Sequence, residues 1–159
     1  IMDKIMKDLT TIKISNVHNK YVMPTYSPTI VLEKGVGLKV WDKDGKEYLD
    51  FTSGIAVTNL GHSHPNITKS ISKQADKIIH SSNLFFNEIQ PFLAEALVEC
   101  SELDNGKCFF CNSGAEANEG MIKLARMWGH NQNRYEIITM KKSFHGRTLA
   151  TLTATGQDK

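Results

Sequence analysis

Ser113-Gly114-Ala115-Glu116 is the stretch of this chain whose residue types and spacing best suit chemistry. A hydroxyl followed three residues later by a carboxylate is the spacing of a capping box. In it the Ser113 oxygen takes one free amide of a starting helix and Glu116 reaches back to the N–H of Ser113. Gly114 and Ala115 are too small to cover their own N–H groups. Open amides at a helix start, together with the partial positive charge of the helix, hold a phosphate. A plain capped helix has the same spacing, so the two readings stand side by side. No Gly-Lys-Ser/Thr follows and no Gly-x-Gly-x-x-Gly is present, which removes the common nucleotide loops.

Ser143-Phe144-His145-Gly146-Arg147-Thr148 is the second such stretch. Phe144 offers a flat face for a planar ring, Gly146 lets backbone come close, and Arg147 offers a two-pronged donor for a carboxylate. The alternative is a packed Phe beside a surface Arg. His62 and His64, with neither Cys nor carboxylate beside them, are a weak ligand pair, so no metal is expected. Cys108 and Cys111 would point to opposite faces of a strand and are expected to be buried thiols.

The elements that must position these residues follow from periodicity and turn chemistry. Residues up to about Tyr26 are polar and irregular and are expected to form an arm. Leu38-Lys39-Val40-Trp41 and Tyr48-Leu49-Asp50-Phe51 are β-prone runs joined through Asp42-Lys43-Asp44-Gly45, a hairpin with glycine at the positive-φ position. Thr52 to His64 reads as a loop. Pro65 opens a helix to about His80, and Ile89, Phe92, Leu93, Ala96, Leu97 and Cys100 mark a second from about Glu88 to Leu103, ended by Asn105-Gly106. Lys107 to Asn112 is expected as a strand, Ser113 opens a third helix stopped near Gly129, and Glu136 to Met140 is expected as a second strand. Strand, helix, strand is the crossover unit of a parallel sheet. It places both chemical stretches at the carboxyl ends of strands, where ligands bind in open α/β sheets. Two parallel strands leave faces and edges uncovered, so the reading is the front part of a larger fold.

Composition bounds the partners. The 159 residues are 40% hydrophobic and 23% charged, the profile of an ordinary folded domain. The net charge is +2, and beyond Lys20 the bases and acids balance at fifteen each, so no basic face for nucleic acid is expected. No apolar run is long enough to span a bilayer. The first twenty residues contain Asp3 and Asp8 but no Arg and no apolar core, unlike a secretory or mitochondrial signal. With three cysteines, an odd number, the expectation is a reducing, cytoplasmic setting.

From about Tyr21 onward the chain resembles the amino-terminal part of the class III aminotransferases, fold type I enzymes that use pyridoxal 5′-phosphate (PLP). The resemblance rests on Gly35-Val36-Gly37 ahead of Trp41 to Phe51, then Ser53 to Val57, Gly61-His62-Ser63-His64-Pro65, Ser82-Asn83-Leu84, the Ser113 to Asn118 block and Phe144 to Thr148. Their order and spacing, more than any single piece, make it specific. It implies an α/β fold with residues 1–60 as arm and small-domain hairpin and 61–159 as the start of the PLP-binding large domain. It implies cofactor binding by Ser113, Gly114, Ala115 and Phe144, and substrate-carboxylate binding by Arg147.

Within the class, Ser53 to Val57 and Ser82 to Glu88 look most like the enzymes acting on N-acetylornithine in arginine biosynthesis, with 2-oxoglutarate as acceptor. Many of those also take N-succinyl-diaminopimelate in lysine biosynthesis. Homodimers are the rule in the family. The Schiff-base lysine of the family lies beyond Lys159 and neither Lys141 nor Lys142 replaces it, so no catalytic residue is assigned and the chain alone is expected to be inactive. The alternatives are a truncated relative that only binds, a phosphate- or nucleotide-binding module, or a class III enzyme for ornithine or 4-aminobutyrate.

Overall fold

A computed structural model describes residues 10–158. They form two compact units, one ending at Leu84 and the other starting at Phe85. Residues 1–9 of the expected arm lie outside the described residues.

The first described element of the first unit is helix α1, Thr11–Tyr21, where an irregular arm was expected. The Thr10 hydroxyl accepts the Lys13 N–H at 3.2 Å, and His18 and Lys20 sit in the last turn, where a cation suits the helix dipole. No side chain of α1 is buried, and its Ile14, Val17 and Tyr21 lie on one face among residues of low helix propensity, a short and weak periodic signal.

Strands β1 (Leu32–Val36), β2 (Lys39–Asp42) and β3 (Glu47–Leu49) form an antiparallel sheet in that order. The β2–β3 hairpin is the expected one, with Val40 opposite Tyr48 and Gly45 at φ 85 in the turn. Val40 is the one buried apolar side chain among the described residues. Asp42, also buried, ties the turn: its carboxylate accepts the N–H groups of Asp44 and Lys46 at 3.0 and 2.8 Å and the Tyr48 hydroxyl at 2.7 Å. The Tyr48 hydrogen bond is the main reason that the Asp42 carboxyl is held below its ordinary range, and the same bond raises the Tyr48 hydroxyl.

The stretch after β3 is more ordered than a loop. Asp50 accepts the Thr52 and Ser53 N–H groups at 2.9 and 3.0 Å and the Thr52 hydroxyl at 2.8 Å, while its second oxygen lies 2.6 Å from His62 Nε2. His62 in turn pairs through its backbone with Gly37. Between these anchors Ser53, Ile55 and Ala56 adopt φ of 48, 63 and 61, a left-handed turn. Helix α2, Pro65–Ala75, opens on Pro65 as expected but stops short of His80. The Gln74 side chain donates to the Ile78 carbonyl at 2.9 Å and turns the chain out of the helix.

In the second unit, Asn87 accepts the Ile89 and Gln90 N–H groups at 3.0 and 2.8 Å, and α3 runs Gln90–Ser101. Glu102 at φ 55 ends it, earlier than the Asn105-Gly106 signal. Helix α4 is Gly114–Gly129, followed by a short 3₁₀ turn, and α5 is Leu149–Ala154. The segments expected as strands, Lys107 to Asn112 and Glu136 to Met140, are not paired as strands. A parallel strand exists only as one side of a ladder, and no described residue supplies the other side. Their apolar side chains stay open, with Phe109 at 74% and Ile138 at 95% exposure. Cys108 and Cys111 are exposed rather than buried, because no facing layer covers that segment.

Candidate functional site

Both chemical stretches lie in the second unit, and one face of α4 holds them together. Ser113 caps α4: its side-chain oxygen accepts the Glu116 N–H at 3.2 Å. Glu116 reaches back as expected but one residue further, accepting from the N–H of Asn112 rather than from that of Ser113. The carboxylate therefore stitches the end of the preceding extended segment to the helix start. Among the described residues the Gly114 and Ala115 N–H groups have no acceptor, and the first turn of a helix offers them none of its own. A Cβ placed on Gly114 would meet nothing within 4 Å, so the side of the turn at Gly114 is open.

The second stretch is a loop closed at its base. Lys142 N–H donates to the Gly156 carbonyl at 2.6 Å and Gly156 N–H returns to Ser143 at 3.1 Å. Inside it, the His145 N–H donates to the Thr155 hydroxyl at 3.1 Å, and the Thr148 N–H to the Thr151 hydroxyl at 3.0 Å. Thr151 is fully buried. The Phe144 ring is half exposed, and the Arg147 guanidinium lies over it, 5.6 Å from the ring centre.

Gly146 is where the two stretches meet. Its φ is 137, and a Cβ there would stand 2.8 Å from the Ala115 Cβ and 2.6 Å from the Thr151 hydroxyl oxygen. Only glycine lets the loop press so closely on the amide turn. Two side chains one helical turn further along α4 complete the contact. The Asn118 amide donates to the His145 carbonyl at 2.7 Å, and Glu119 accepts the Thr148 hydroxyl. Ser113, Gly114, Ala115, Phe144 and Arg147 thus lie within one unit, on the start of α4 and on the loop packed against it. The sequence places Asn118, Glu119 and Thr148 in or beside the two stretches but assigns no role to them or to Thr151. The signal was available in part, since 115, 118 and 119 share one helix face. His62 pairs with Asp50 in the other unit, and among the described residues no cluster of three metal-ligating side chains exists.

Comparison with known proteins decides the family. The model of the aminotransferase class-III family matches residues 21–159. The chain belongs to the class III aminotransferases. It is 56% identical over 144 residues to the acetylornithine aminotransferase of Caldanaerobacter subterraneus subsp. tengcongensis, covering 88% of this chain and 36% of that protein. It is 50% identical over 143 residues to the succinylornithine transaminase of Photorhabdus laumondii subsp. laumondii, covering 87% and 35% respectively. Among solved structures, the N-acetylornithine aminotransferase from Stenotrophomonas maltophilia superposes with a TM-score of 0.73 at 41% identity, over 82% of this chain and 35% of that one. The chain therefore spans about a third of the length of the curated relatives it matches.

The fold is that of the fold type I PLP enzymes, present here in part. Class III aminotransferases use pyridoxal phosphate. The residues present fit that group: two unpaired amides and an open glycine face suit its phosphate, and a half-exposed aromatic ring suits its pyridine plane. No described helix is long and apolar enough to cross a membrane.

Proposed function

We propose that this chain is the cofactor-phosphate and substrate-carboxylate part of an aminotransferase that moves an amino group from N-acetylornithine to 2-oxoglutarate in arginine biosynthesis. The observation that supports it is the contact of Gly146 with Ala115, which joins the loop that carries Phe144 and Arg147 to the turn with the two open amides. In this reading the Gly114 and Ala115 N–H groups and the Ser113 cap bind the phosphate. Phe144 orients the pyridine ring on the face that Arg147 does not cover. Arg147 receives the substrate carboxylate as a two-pronged donor. When bound, pyridoxal phosphate supplies the electron sink for the amino-group transfer. The chain's own share is position and charge, and the proton-moving lysine is not among the residues placed at this site.

The relatives named for acetylornithine and succinylornithine favour an acylated ornithine as amino donor. Use of N-succinyl-diaminopimelate in lysine biosynthesis, a homodimeric assembly, a cytoplasmic setting and the division into residues 1–60 and 61–159 belong to the same proposal. The test uses the intact protein that carries this chain. Added PLP should produce a visible absorption band, nucleotides should not compete, and N-acetylornithine with 2-oxoglutarate should yield glutamate. Saturable nucleotide binding without a PLP band would point instead to a nucleotide-binding module, and preference for unacylated ornithine or 4-aminobutyrate to another class III substrate.

A further inference from the structure

Three residues on one face of α4, at positions i, i+3 and i+4, meet the loop that carries Phe144 and Arg147. Ala115 fills the space against Gly146. Asn118 donates its side-chain N–H to the His145 carbonyl across 2.7 Å, and Glu119 accepts from the Thr148 hydroxyl. Both polar contacts are made to residues 27 to 29 positions further along the chain. Together they grip His145 and Thr148, the residues that flank Gly146 and Arg147. Thr148 is in turn paired to the buried Thr151, its hydroxyl 2.7 Å from the Thr151 oxygen, so the grip continues into α5.

We infer that Asn118 and Glu119 are positioning residues, which act through the His145 carbonyl and the Thr148 hydroxyl to set the Phe144 ring and the Arg147 guanidinium relative to the phosphate-binding turn; this rests on the function proposed above. Neither side chain touches the Ser113-Gly114-Ala115 amides in any bond present among the described residues. Loosening the grip should therefore shift the ring platform and the carboxylate clamp while the anion turn stays formed. Asn118 must act as a donor, because its partner is a carbonyl that can only accept. Glu119 must act as an acceptor.

The experiment compares Asn118→Asp, Asn118→Ala and Glu119→Gln with the unaltered intact protein. Asn118→Asp keeps the shape and removes the donor, so it should behave like Asn118→Ala, and Glu119→Gln, which keeps an acceptor oxygen, should be milder. Three quantities are read: PLP affinity of the apoprotein, the induced circular dichroism of bound PLP, and KM for the oxo acid. The expected result for Asn118→Asp is a KM raised on the order of tenfold to a hundredfold, as a misplacement near 1 Å produces, with weakened dichroism and PLP affinity changed less than about threefold. Unchanged KM and dichroism in Asn118→Asp would overturn the positioning role. A proportionate loss of PLP affinity and KM in Asn118→Asp would overturn it too, by making the contact a general fold support. Failure of the unaltered protein to bind PLP would instead remove the underlying function.

Discussion

At the scale of single residues, the site depends on a few atoms whose removal has separable consequences. Arg147→Ala should raise the KM for dicarboxylate substrates about tenfold to a hundredfold, the range for losing charge-assisted hydrogen bonds, while the PLP absorption band persists. Steady-state kinetics with a parallel cofactor titration checks this, and equal loss of both would reassign Arg147. Gly146→Ala is a different kind of change. The new Cβ would collide with Ala115 and Thr151 at a φ that side chains rarely adopt. The cost should be about 1–3 kcal/mol from overpacking, with more from the backbone, seen as a lowered Tm together with weakened substrate binding. Asp50 carries a pH prediction. His62 first, then the Thr52 and Ser53 groups, hold its carboxyl well below the ordinary value. The unfolded chain thus takes up the proton first as the medium acidifies. The stabilisation is complete above about pH 4 and is lost as pH falls through the folded-state value. Asp50→Asn should flatten that acid limb, measured by urea unfolding between neutral and acid pH, and should speed hydrogen exchange at the Thr52 and Ser53 amides.

At the scale of elements, the start of α4 does two jobs with the same atoms. Ser113 spends its oxygen on one amide and leaves those of Gly114 and Ala115 open, and in the proposed function these hold the cofactor phosphate. Ser113→Ala should cost about 0.5–2 kcal/mol of stability, as the loss of a cap does, and should weaken PLP through the frayed turn. Thermal melts with and without inorganic phosphate would check it, and a phosphate-induced rise in Tm equal to that of the unaltered protein would separate the cap from the anion site. Elements also show where sequence reading reached and where it did not. The hairpin, α2, α3 and α4 were legible because local rules suffice: glycine at a turn, proline in a first turn, a hydroxyl at a cap. Helix α1 was missed because its β-branched, Ser and Asn residues have low helix propensity and outweigh the short Ile14, Val17 and Tyr21 spacing, and the expected strands at 107–112 and 136–140 were not formed because a strand is a relation between segments rather than a property of one.

At the scale of the whole molecule, apolar residues find little cover. Among the described residues only Val40 is a buried apolar side chain, whereas Phe86, Phe109 and Ile138 are open to solvent. Expressed by itself, the chain of residues 1–159 should bind the dye ANS and self-associate, because exposed apolar area of this extent is not stable in water. Size-exclusion chromatography with ANS fluorescence tests this, and a monodisperse monomer with no dye response would contradict it.

The sequence by itself determined the family, the local caps and turns, and the residue types offered to a phosphate, a planar ring and a carboxylate. Those are short-range matters, set by neighbours a few positions apart. The tertiary structure alone decided that Gly146 rests on Ala115 and that Asn118 and Glu119 hold the loop from the far side of 27 to 29 residues of chain. The reason is physical: a long-range contact requires two surfaces to fit, and that fit is not written in the spacing of either segment.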